Sequence, residues 1–189
     1  MNNSFIQIAK EKFHFLETKY GVPLEIISDN ELKLNYNDYC LRVMYDNKRS
    51  YELDIRLNVK GSIFQSYEFH ELAQYAGVAS ENSGFQASTK ARLELIIDRM
   101  ANLLSLVCNQ IPLFSQETMT NLQKQREKDC RNYALKNKLV RMRVDAEKAW
   151  KEKNFAAVLS IYEPFLEHLS KAEIKKYEYA FKHLLQPYE

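Results

Sequence analysis

Tyr39-Cys40-Leu41-Arg42-Val43-Met44-Tyr45 and Tyr51-Glu52-Leu53-Asp54-Ile55-Arg56-Leu57-Asn58-Val59 are the stretches that decide the fold. In each, apolar side chains alternate with polar or smaller ones, the period of a strand buried on one face. Both apolar sets are odd-numbered, and directly opposed residues share a face, so a hairpin needs an odd number of loop residues. Asn47-Lys48-Arg49 satisfies that parity, as does Asp46 through Ser50. With Tyr45 opposite Tyr51, Val43 meets Leu53, Leu41 meets Ile55, and on the other face Arg42 meets Asp54. One face is then core and the other wet, as in an antiparallel sheet covered by helices on one side.

Toward the N-terminus, Phe5, Ile8, Ala9, Phe13, Leu16 and Tyr20 follow the 3.6 period, and Gly21 stands where a left-handed cap is wanted. One helix over 3–20 is expected. Short apolar runs at 24–27 and 32–36, separated by Asp29-Asn30 and closed by Asn37-Asp38, extend the sheet to three or four strands. Downstream of Gly61-Ser62 the period turns helical. Ser66 is the expected cap of a helix near 67–76, with Glu68 in its first turn and Gly77 after it. Ser80 to Gly84 reads as a loop. Ser88 is the expected cap of a helix carrying Leu93, Ile96, Ile97, Met100, Leu103, Leu104 and Val107, which Pro112 ends.

From Ser115 to about Lys153 there is no Gly or Pro, which suits one long helix or two. Leu122, Tyr133, Val140 and Val144 make one stripe on it. Leu135, Leu139, Met142, Ala146 and Trp150 make a second on nearly the opposite side, so burial on both sides is expected there. Asn154 is the expected left-handed break. Phe155, Val158, Leu159, Tyr162, Phe165, Leu166 and Leu169 form the next apolar face. Ser170-Lys171-Ala172-Glu173 is a capping box opening a last helix, whose expected core face is Ile174, Tyr177, Phe181, Leu184 and Leu185. The expected fold class is α+β: a small antiparallel sheet packed by helices on one face, then a helical C-terminal part. The expected division is an α+β domain over 1–112 and a helical part over 113–189.

Composition agrees. Four glycines and four prolines in 189 residues favour long helices and exclude a propeller, a collagen-like repeat or a Gly-rich nucleotide fold. Cys40, Cys108 and Cys130 give no disulfide framework, which points to a reducing compartment. Met1-Asn2-Asn3-Ser4 lacks a basic segment followed by an apolar run, so no export signal is expected. The densest apolar stretch, Leu103 to Cys108, is too short for a membrane span. A cytoplasmic protein without a membrane partner is the expectation.

The chemistry of a reaction centre is mostly missing from the pattern. His14, His70, His168 and His183 are scattered, with no pair at the helical spacing of zinc ligands, and no metal is expected. His70-Glu71 beside Glu68 reads as a solvated first helical turn. There is no G-x-S-x-G elbow, no phosphate loop and no thiol in a setting that would activate it. No cofactor and no catalytic residue are assigned, and an enzyme is not expected. Glu52 and Asp54 project from one strand face about 7 Å apart, a spacing known from acid/base pairs. With Arg42 and Arg56 as counter-charges, the four read instead as a wet sheet face able to dock a partner.

The formal net charge of +2 hides a polarised chain. Residues 124–143 hold eight Lys/Arg and two acids, whereas 25–71 hold six basic and nine acidic residues. Lys124, Lys128, Arg131 and Lys138 share an arc of about 80° on a helix. They suit a phosphate backbone or an acidic protein surface, but an ordinary solvated helix face is the better reading, and the glycine-dependent and aromatic motifs of RNA modules are absent. Twelve Tyr, ten Phe and one Trp are weak support for a binding surface, because most sit at core periodicities.

Ala146-Glu147-Lys148-Ala149-Trp150-Lys151-Glu152-Lys153-Asn154-Phe155, then Val158, Tyr162, Leu169-Ser170-Lys171-Ala172-Glu173 and Tyr177, Tyr179-Ala180, resemble the ending of a loose group of bacterial proteins. So do Tyr45-Asp46 and Arg49-Ser50-Tyr51-Glu52-Leu53 through Ile55. In that group a small α+β domain precedes a helical tail, and some members resemble immunity proteins, which bind a secreted toxin domain and block its active site. Lys153-Asn154 stands where a Lys-Asp or Gly-Asp pair is usual. The resemblance carries over no functional residue. It implies a non-enzymatic protein-binding protein, an immunity-type inhibitor of a bacterial toxin, whose face with Arg42, Glu52, Asp54 and Arg56, in the acidic 25–71 region, meets a basic cleft. The alternative is a nucleic-acid or acidic-ligand binder using the 124–143 basic face.

Overall fold

The computed structural model describes residues 4–62, 65–78 and 85–185, so the expected Ser80–Gly84 loop lies outside the described residues. The fold is α+β, with two compact units, Met1–Arg126 and Glu127–Glu189.

In the first unit, strands β1 (Leu24–Ser28), β2 (Glu31–Tyr36), β3 (Tyr39–Tyr45), β4 (Leu53–Val59) and β5 (Ser66–Glu68) form one antiparallel meander in that order. The core face carries Leu32, Leu34, Leu41, Val43, Leu53, Ile55, Leu57 and Tyr67, all buried. Helices α1 (Ser4–Lys12) and α2 (His14–Tyr20), α3 (Phe69–Tyr75) and α4 (Lys90–Gln110) complete the layer: α1 packs on β2, α3 on β4 and β5, and α4 on α1 and α3.

Several local expectations change. The helix expected over 3–20 breaks at Phe13 (φ −93°, ψ 3°), which turns this fully buried ring into the core, while Gly21 caps α2 at φ +70° as its position requires. The hairpin loop is odd in length, yet it is longer than either option considered, running from Asp46 through Glu52. Its register is therefore slipped by two: Tyr45 opposes Leu53, Val43 opposes Ile55 and Leu41 opposes Leu57. The Asp46 carboxylate is the cause. It accepts backbone N–H bonds from Lys48, Arg49 and Ser50 at 3.0–3.2 Å, which curls the chain and leaves Tyr51 at φ +53°, outside the ladder. Those donors hold the Asp46 carboxyl down to about 2.

Ser66 is not a helix cap but the start of β5. Glu68 caps α3 instead, its side chain meeting the Glu71 N–H while the Glu68 N–H donates to the Glu71 carboxylate at 2.9 Å. Thr89, not Ser88, caps α4.

Residues 116–151 form one helix, α5 (Gln116–Lys151), and the boundary between the units falls within it. Leu113, Met119 and Leu122 belong to the first core, which carries that unit past residue 112 to Arg126. The Arg126 guanidinium closes it: it donates to Glu71 at 2.6 and 2.7 Å and to the Ser66 carbonyl at 2.6 Å, and lies 4.6 Å over the Tyr67 ring.

The second unit packs the end of α5 with α6 (Phe155–Tyr162), a 3-10 turn at Glu163–His168 and α7 (Lys171–Leu185). Its core is Met142, Ala146, Ala149, Val158, Tyr162 and Ala180. Of the two stripes on α5, the one with Met142 and Ala146 is buried in this core, whereas the other has only Leu122 buried, in the first core. Tyr133, Val140 and Val144 are exposed, so the helix is not buried on both sides. The left-handed residue is Lys153 (φ +56°), and Asn154 is the N-cap of α6, accepting the Ala157 N–H at 3.1 Å. Pro164 stands in the first turn of the 3-10 segment, so the apolar face expected from 155 to 169 is not one helix. The Ser170/Glu173 capping box forms in both directions, at 2.6 and 3.3 Å.

Burial pushes the Glu71 carboxyl up, but Arg126 and the Glu68 N–H outweigh it and hold the group below its ordinary 4.5. A depressed carboxyl stabilises the fold above its unfolded value, and the benefit is lost as pH falls through the folded value. Glu71→Gln is expected to cost about 1–3 kcal/mol near neutrality. Urea midpoints against pH should show that difference constant down to pH 4.5 and shrinking below it.

Candidate functional site

The sheet's outer face is ordered by register. Because β-strand side chains alternate with a period of two, opposed residues fall into rows. One row crosses all five strands: Glu25, Lys33, Arg42, Arg56 and Glu68. Its neighbour on one side holds Glu31, Met44 and Asp54, and on the other Asn35, Cys40, Asn58 and Ser66. Arg42 therefore does not meet Asp54, as the shorter loop would require. It faces Arg56, and three cations stand side by side on β2, β3 and β4.

Like charges directly opposed are destabilising, so they need partners off the row. Arg42 Nε donates to the Glu31 carboxylate at 2.6 Å, and Arg56 Nε donates to Asp54, two residues back on its own strand, at 2.6 Å. The bond to Asp54 raises the Arg56 pKa, while Arg42 across the ladder works against it. Glu31 does the same for Arg42. The Lys33 side chain makes no hydrogen bond or ion pair among the described residues. Cys40 lies in the floor of the face, where burial raises its thiol pKa more than Lys33, Arg42 and Lys60 lower it.

Of the sequence-derived quartet, Arg42, Asp54 and Arg56 come together on this face. Glu52 does not stand beside Asp54 on the strand. It lies in the loop, in a bridge to Gln86, whose Nε2 donates to its carboxylate at 3.2 Å. Glu31 and Lys33 belong to the site and were missed, because their part in it depends on which strands neighbour which. The centre of the face is cationic and the acids flank it, an order that net charge over 25–71 does not reveal.

Lys124, Lys128, Arg131 and Lys138 are all exposed on α5, and residues 127–134 are exposed on every side of that helix. Among the described residues no group of three or more His, Cys, Asp or Glu could hold a metal ion, and no helix is long and apolar enough to cross a membrane. His70 sits 3.3 Å from Glu68 at the start of α3. No family model matches the sequence, and no curated protein or solved structure matches it either.

In the Arg42–Glu31 pair, removing one partner strands the other, whereas removing both is nearly neutral. Arg42→Met alone should cost about 1 kcal/mol, a modest figure because the arginine is partly exposed. Adding Glu31→Met should recover most of it. Denaturation of the four proteins of the double-mutant cycle measures the coupling, and a value of zero would mean that the pair is not fixed.

Proposed function

We propose that this chain is a non-enzymatic protein-binding protein, an immunity-type inhibitor whose outer sheet face covers a toxin domain. The observation that carries this reading is the pre-set geometry of Arg42 and Arg56, each tied at 2.6 Å to its own carboxylate on a five-strand face. Side chains fixed before the encounter lose less entropy on binding, and a rigid sheet holds them in register. The mixture of signs suits a protein surface, on which both charges occur, better than a uniform polyanion. The Tyr45–Ile55 hairpin and the C-terminal segment resemble a loose group of bacterial proteins, some of which resemble immunity proteins, and this favours the same assignment.

A second reading has its own support. The exposed Lys124, Lys128, Arg131 and Lys138 face on α5 suits an acidic ligand, including a phosphate backbone.

Co-expression with a toxin encoded next to this gene is the direct test. The reading expects survival of the host, a complex that co-purifies, and loss of both in Arg56→Glu. A toxin that kills regardless, or a gene with no toxin beside it, contradicts the reading. For the second reading, affinity for a single-stranded oligonucleotide should fall steeply as salt rises, through counterion release. Affinity constant across the salt titration counts against it.

A further inference from the structure

The cation row on the outer sheet face holds more hydrogen-bond donors than the fold uses. Arg42 and Arg56 face each other across β3 and β4, and each commits its Nε to its own carboxylate, Glu31 and Asp54. No hydrogen bond among the described residues takes a terminal Nη nitrogen of either guanidinium, and the Lys33 side chain beside them has no acceptor. The acids are placed otherwise. Glu25 accepts from Asn35 Nδ2 at 3.0 Å, and Glu68 belongs to the capping box of α3. Glu31 and Asp54 are less exposed than the arginines they hold, with side chains 16% and 33% exposed against 42% and 46%. The centre of the face therefore offers cationic donors without acceptors, with engaged acids beside it and at both ends.

The order of charges selects the partner. Along the row stand Glu25, Lys33, Arg42, Arg56 and Glu68, one strand apart at each step. Neighbouring strands lie about 4.8 Å apart, so the cationic centre is about 10 Å wide and the whole row about 19 Å. A phosphate backbone laid across the face would run off the cations onto an acid at either end. A second copy laid face to face would bring cation against cation at the centre, which repels. Two or three carboxylates flanked by basic side chains match the row at every position, and they supply the acceptors that the Nη nitrogens lack.

We infer that the row of Lys33, Arg42 and Arg56 seats a short acidic stretch of the partner protein, bounded by basic residues on both sides. This rests on the sheet face being a protein-binding surface and names what that surface binds. The stretch is opposite in sign to the basic cleft that net charge over 25–71 suggests.

The test uses the full-length chain, isotopically labelled for NMR, and two seven-residue peptides, which span about 20 Å when extended. One has three central glutamates and a lysine at each end, with glycine between, and the other has every charge reversed. The backbone amides of residues 33, 42 and 56 should shift with the first peptide and not with the second, and the response should weaken as salt rises. Lys33→Glu, which removes no side-chain contact of the fold, should weaken binding of the first peptide by roughly fivefold, the scale of a partly exposed charge reversed. Unchanged amide shifts in the core verify that the variant folds. Equal response to both peptides, response to neither, or a Lys33→Glu variant that binds as the unaltered chain does overturns the proposal. So does a single-stranded oligonucleotide that moves these amides more than the first peptide does. The toxin reading is decided separately. A complex that forms in co-expression while the peptides fail removes only the acidic stretch, and peptide selection without a toxin partner removes only the toxin.

Discussion

The antiparallel register of β2, β3 and β4 is the constraint from which the rest of the first unit follows. It puts Leu32, Val43 and Ile55 opposite one another on one face, and Leu34, Leu41 and Leu57 beside them. The same ladder puts Lys33, Arg42 and Arg56 in line on the other face. A slip by one residue would exchange the faces, burying the charges and exposing the leucines. A slip by two keeps the faces but changes every partner. Core burial therefore fixes the parity of the register, and the Asp46 turn chooses between registers of equal parity.

That division explains how far the sequence could be read. Alternation in 39–45 and 51–59 was enough to give the strands, the parity of the loop and the wet face. It could not give the loop length, because Tyr51 fits the alternation as well as Leu53 does. The three backbone bonds to Asp46, with the Tyr51 carbonyl taken by the Ala87 N–H, hold it out of the ladder. Ser66 likewise satisfied the rule for a helix cap, but Tyr67 was needed against Leu57 in the sheet, and tertiary pairing overrode local preference. The candidate site shared this limit. Arg42, Asp54 and Arg56 were visible as a strand face, whereas Glu31 and Lys33 join them only through the neighbouring β2.

The C-terminal unit shows the opposite kind of mismatch. Its periodicity was legible: α7 is capped by Ser170 and Glu173 and has the expected apolar face. The second unit nonetheless buries a small set of side chains around Ala146, Ala149, Val158 and Ala180, and leaves the larger face outside. Sequence periodicity reports that a helix has an apolar side. It does not report whether the chain itself covers that side or leaves it to another molecule. The two units thus present different chemistry, a sheet face of paired charges and a helix with a partly exposed apolar side.

The alignment of Lys33, Arg42 and Arg56 is the central claim, and backbone NMR tests it without any ligand. Short-range cross-strand NOEs should connect residue 42 with residue 56 and residue 33 with residue 42. A residue 42 to residue 54 contact in their place would mean the hairpin sits two residues away, with the arginine facing an acid and no row of cations on the sheet.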